Sequence, residues 1–104
     1  MGTIQAMYKY DESKLTFTGA LGANPAIELR GNTPTNLAIA PTGGNAKVQY
    51  TLSPKADVLA DTAIWTDWTA GDKAAYTEEL LTKPYRFLRV YNTTATSTVL
   101  YICR

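Results

Sequence analysis

Ala46-Lys47-Val48-Gln49-Tyr50-Thr51-Leu52 alternates apolar and polar side chains along its whole length. Successive side chains of an extended chain point to opposite faces, so Ala46, Val48, Tyr50 and Leu52 share one face and Lys47, Gln49 and Thr51 the other. The stretch reads as a β-strand with one buried face. Ser53-Pro54 ends it, because proline has no N–H to give to a ladder. The same period of two recurs on either side. Upstream, Pro41-Thr42-Gly43-Gly44-Asn45 reads as a hairpin turn after an apolar Leu37 and Ile39, Ile27 and Leu29 alternate with Glu28 and Arg30, and Leu15 and Phe17 alternate with Lys14, Thr16 and Thr18. Ile4, Ala6, Tyr8 and Tyr10 alternate nearer the N-terminus, and Asp11-Glu12-Ser13 then gives strand, turn, strand. Downstream, 55–62 reads as a loop with room for one helical turn, 65–68 as a short strand, 69–73 as a turn and 76–81 as a strand of mixed character.

The two closing segments differ from the rest. Tyr85-Arg86-Phe87-Leu88-Arg89-Val90-Tyr91 and Thr98-Val99-Leu100-Tyr101-Ile102-Cys103 are apolar on both faces. In a two-sheet sandwich only one face of a strand lies in the core, so the other must meet a loop, a chain terminus or a neighbouring subunit. About eight strands, spaced as in sandwiches and barrels, together with abundant threonine and tyrosine and no sustained 3.6-residue pattern, predict an all-β fold. The expectation is a single domain over 1–104: a two-sheet antiparallel sandwich, Greek-key or jelly-roll-like.

Composition narrows function. The chain has 104 residues, no histidine and one cysteine, Cys103. Histidine is the commonest general base and metal ligand near neutral pH and cysteine the readiest nucleophile, so the usual catalytic kit is nearly empty and no enzyme is expected. Ten basic against nine acidic residues give a net charge of +1, spread along the chain, which argues against nucleic acid as partner. No stretch has the apolar length of a membrane span or of a signal-peptide core, and a lone cysteine forms no internal disulfide. The carboxylates show no spacing that marks a glycosidase pair, and Asp57, Asp61, Asp67 and Asp72 do not follow a calcium-loop pattern, so no cofactor or metal is expected. Gly43-Gly44-Asn45-Ala46-Lys47 lacks the Ser or Thr and the helix of a phosphate loop. Asn92-Thr93-Thr94 matches a glycosylation sequon, which acts only in a glycosylating compartment. Trp65 and Trp68, with Tyr50, Tyr76, Tyr85 and Tyr91, are the candidates for stacking on a sugar. Three apart on a strand, they face opposite ways, so at most one enters the core.

One longer pattern stands out. Val48-Gln49-Tyr50-Thr51-Leu52-Ser53-Pro54, then Ala63-Ile64-Trp65-Thr66-Asp67-Trp68 with Gly71 following, then Lys83-Pro84-Tyr85-Arg86-Phe87-Leu88-Arg89-Val90 and a closing strand over 99–102, resembles small β-sandwich virion proteins of tailed bacteriophages. The resemblance covers about residues 46 to 103. It implies a virion structural role, most directly a head decoration or cement protein, assembled in the host cytoplasm, that forms trimers or dimers and bridges major-capsid subunits. A tail, baseplate or fibre module that binds a host glycan through exposed aromatics is the alternative. The side chains expected at an interface, from their exposure and apolarity, are Trp65, Trp68, Tyr85, Phe87, Arg89, Tyr91 and Tyr101.

Overall fold

The computed structural model describes residues 4–7, 12–18, 21–29, 35–68, 71–81 and 86–103. Tyr85 and part of the N-terminal strand expected over 3–10 lie outside them. The alternating segments form strands: β1 (Ile4–Met7), β2 (Glu12–Thr18), β3 (Gly22–Ala23), β4 (Ala26–Leu29), β5 (Thr35–Thr42), β6 (Ala46–Thr51), β7 (Thr66–Asp67), β8 (Thr77–Leu81), β9 (Phe87–Asn92) and β10 (Ser97–Cys103). A single helical turn, α1 (Lys55–Leu59), sits in the loop after Pro54. No helix among the described residues is long and apolar enough to cross a membrane.

The strands make two sheets packed as a sandwich. The larger runs β1-β4-β9-β6-β7, with β3 also on β9, and the smaller runs β2-β10-β5-β8. Period-two side chains from the two inner faces meet in one core: Ile27, Val48, Leu88 and Val90 from the larger sheet against Leu37, Ile39, Leu100 and Ile102 from the smaller, with Trp68 among them.

Pairing corrects the sequence reading in two places. The first two strands do not pair with each other: β1 lies parallel to β4, Ile4 opposite Ala26 through Met7 opposite Leu29, while β2 pairs with β10 in the other sheet. Likewise, Gly43-Gly44-Asn45 turns the chain between sheets, from β5 to β6, and is not a hairpin within one. It is laced to the parallel crossing from β9 to β10 by Thr94 N–H and Ala95 N–H donating to the Asn45 carbonyl, each at 3.0 Å. A Cβ on Gly44 would lie 2.5 Å from the Thr94 backbone, so the two crossings fit together only with glycine there.

The two-faced closing strands find different cover. The outer side chain of Phe87 packs with Ala26 and Val58 beneath Ala63 and Trp65, so residues 53–65 fold back over β9. Its own chain covers that strand. Among the described residues nothing covers the outer face of β10.

Candidate functional site

The open face belongs to the four-stranded sheet. Leu100 and Ile102 point inward, which turns Val99, Tyr101 and Cys103 outward on β10. Strand register then fixes their neighbours. Tyr101 lies between Lys14 on β2 and Ala38 on β5, and Ala38 lies opposite Glu78 on β8. Lys14, Tyr101, Ala38 and Glu78 thus form one row straight across the sheet: cation, ring, methyl, carboxylate. In the next row Cys103 is level with Asn36, and Asn36 with Leu80.

These side chains line an open groove of about 780 Å³ with Ala38 in its floor. Tyr76, just before β8, and Leu80 on it stand on one flank, 59% and 52% exposed, unusually open for large apolar groups. The Tyr76 ring meets Tyr101 edge to face, centroids 6.2 Å apart. Lys14 Nζ lies 5.8 Å from the Tyr101 centroid on the opposite side. Tyr76 Oη donates to Glu78 Oε2 at 2.9 Å, and this bond raises the phenol's pKa above its ordinary value, as it holds the proton against the carboxylate. The groove therefore offers apolar contact along its middle, a cation at one rim and an anion at the other. A smaller apolar tip lies elsewhere, where Leu52 and Ile64 are 62% and 82% exposed. Thr51 Oγ1 donating to the Ile64 carbonyl holds the two segments together.

The side chains expected at an interface do not gather in one place. Trp68 is 2% exposed and Phe87 not at all, so neither can touch a partner or a sugar. Trp68 Nε1–H donates to the Gly71 carbonyl, which satisfies the indole inside the core. Trp65, Arg89 and Tyr91 share the outer face of the larger sheet, where they belong to a network closed on itself. Arg89 stacks 4.2 Å from the Trp65 centroid and donates from Nε to Gln49 Oε1 at 2.7 Å. Gln49 Nε2 and Lys47 Nζ then donate to the two Asp67 oxygens at 2.9 and 3.0 Å, and Lys47 lies over Tyr91 at 5.2 Å. Burial lowers the Arg89 pKa, while the bonds from Gln49 and Lys47 lower that of Asp67. Among the described residues, Tyr101 alone of the expected set lines the groove.

Tyr76, a candidate for stacking on a sugar, also lines the groove, whereas Lys14, Ala38, Glu78 and Leu80 were not expected. Tyr76 and Leu80 carry a signal in the mixed character of 76–81, but the row itself depends on pairing between strands far apart in sequence. Among the described residues no three acidic or thiol side chains come together as a metal site. Asn92 is fully buried and accepts a bond from Thr98 Oγ1 at 2.6 Å, so its sequon is closed to modification in the folded chain. Comparison with protein families, curated proteins and solved structures finds no match to this chain.

Proposed function

We propose that this protein is a non-enzymatic virion structural subunit, a decoration or cement protein that associates with itself and bridges major-capsid subunits. One observation carries the reading: the groove over β10, β5 and β8 presents Tyr101, Tyr76 and Leu80 to solvent around an alanine floor, where a monomer gains nothing by exposing them. The resemblance of 46–103 to phage β-sandwich proteins supplies the class of partner. Binding here is additive. Each contact is small, the Leu52 and Ile64 tip providing a second one, and several on one assembly sum to firm attachment through effective concentration.

The test is reconstitution on capsids that lack the protein. Purified chain is expected to bind saturably and to raise the temperature or osmotic shock at which the particles open. Tyr101→Glu, on an exposed position, is expected to fold and to lose that protection. Absence of binding with unchanged particle stability would contradict the proposal.

A glycan-binding reading keeps one observation in its favour, the exposed Tyr76 and Tyr101 beside Glu78. Their edge-to-face packing leaves no shared flat platform, and Trp68 is not available to supply one. Glycan-array binding lost on Tyr101→Ala would favour it.

A further inference from the structure

We propose that the occupant of the groove is a second copy of this chain, packed face to face about a two-fold axis that runs parallel to the strands between β10 and β5. The inference rests on the reading of this face as a docking surface and names what docks.

The row across the sheet is self-complementary under that operation and under no other that closes the face. The axis exchanges the two sides of the row, so Lys14 comes opposite Glu78 of the second copy and Tyr101 opposite its Ala38. The Lys14–Glu78 contact forms twice, as an isologous interface requires, and each Tyr101 ring comes over the low point of the second copy's row, where Ala38 is 4% exposed. A two-fold axis laid across the strands would instead set Lys14 against Lys14 and Glu78 against Glu78. Charge selects the parallel axis. Sheets packed face to face lie about 10 Å apart at about 30°, a gap that a lysine and a glutamate reaching toward each other can bridge. The face is about 19 by 24 Å from strand spacing and rise, well short of the roughly 800 Å² per partner of a standard interface. An interface of this size falls in the weak, transient class, and it is reinforced when both copies also hold a particle.

The geometry gives a second consequence at Cys103. Its Cα lies about 11 Å from that of the second copy, from one strand spacing and one sheet gap. That exceeds the roughly 7 Å limit for a disulfide but suits a short bismaleimide.

The experiment is sedimentation equilibrium on the full chain up to millimolar concentration, with circular dichroism to confirm folding. Wild type is expected to dimerise. Lys14→Glu alone and Glu78→Lys alone are each expected to weaken dimerisation about 10-fold or more, and an equimolar mixture of the two to restore it, because the mixed pair regains both opposite-charge contacts. Bismaleimide is expected to link Cys103 across the wild-type dimer, and oxidation is not. A chain that stays monomeric at millimolar concentration, or single variants that dimerise as well as wild type, would overturn the pairing. Monomeric chain that still protects capsids would overturn the pairing and leave the decoration role standing. A rescued dimer that binds no capsid would support the pairing and remove that role.

Discussion

Trp65 and Trp68 show how much one residue's direction decides. Trp68 fills the centre of the core, whereas Trp65 lies half-buried over Phe87 and Arg89. Trp68→Ala is therefore expected to cost about 3–5 kcal/mol, near the total stability of a small domain, and Trp65→Ala clearly less; urea unfolding of the two variants measures the gap. At Gly44 any side chain meets the Thr94 backbone. Gly44→Ala is expected to lower stability by about 1–3 kcal/mol, read as a drop in melting temperature. The Asp67 carboxyl, held by Gln49 and Lys47, titrates below its ordinary value. Its folded pKa lies under its unfolded one, so the stability it contributes is present above the unfolded value and is lost as pH falls through the folded one. The group is exposed and screened, so the loss is about 0.5 kcal/mol. Urea midpoints of wild type and Asp67→Asn are expected to converge as the pH is taken from neutral down through that range. The one-in, one-out placement of the tryptophans was legible from their spacing; which of them enters was not, because that depends on the 53–65 segment folding back.

Among the elements, β6 was the most legible over 46–50, where the alternation holds; at its end the reading fails, since Thr51, expected outside, is 2% exposed and Leu52, expected inside, is 62% exposed beyond the last ladder residue. The strands over 26–29, 76–81 and 98–103 were also legible within a residue or two. Partners were harder. Nothing local in Ile4–Met7 says that it lies parallel to β4, and nothing in 43–45 says that the turn changes sheets. The two-faced apolarity of β9 was read correctly as a demand for cover, but sequence could not tell a covering loop from a covering molecule. Residues 53–65 answer it for β9. Val58→Asp would place a charge against Phe87 and Ala26, so it is expected to cost about 2–4 kcal/mol. It is also expected to raise hydrogen exchange in β9 and α1 above that in β10. Uniform exchange across the three elements would contradict the role of this segment as a lid on β9.

For the molecule as a whole, consecutive strands repeatedly change sheets, and β2 and β10, at opposite ends of the chain, are paired along seven residues. Loop-closure entropy must be met before such contacts form, so folding is expected on the millisecond-to-second scale typical of sandwiches, about 1–1000 ms by stopped-flow fluorescence of Trp68. The same topology assembles the groove. Lys14, Ala38, Glu78 and Tyr101 come from four strands spread from position 14 to 101, which is why their row could not be foreseen from any one segment. Cys103, the chain's single cysteine, lies in that groove and reports on whether it is covered. The most direct measurement is its alkylation rate in dilute free protein and in protein bound to capsids. A marked slowing on the capsid, reversed when the protein is released, is the expected result; equal rates in the two states would contradict the use of this face.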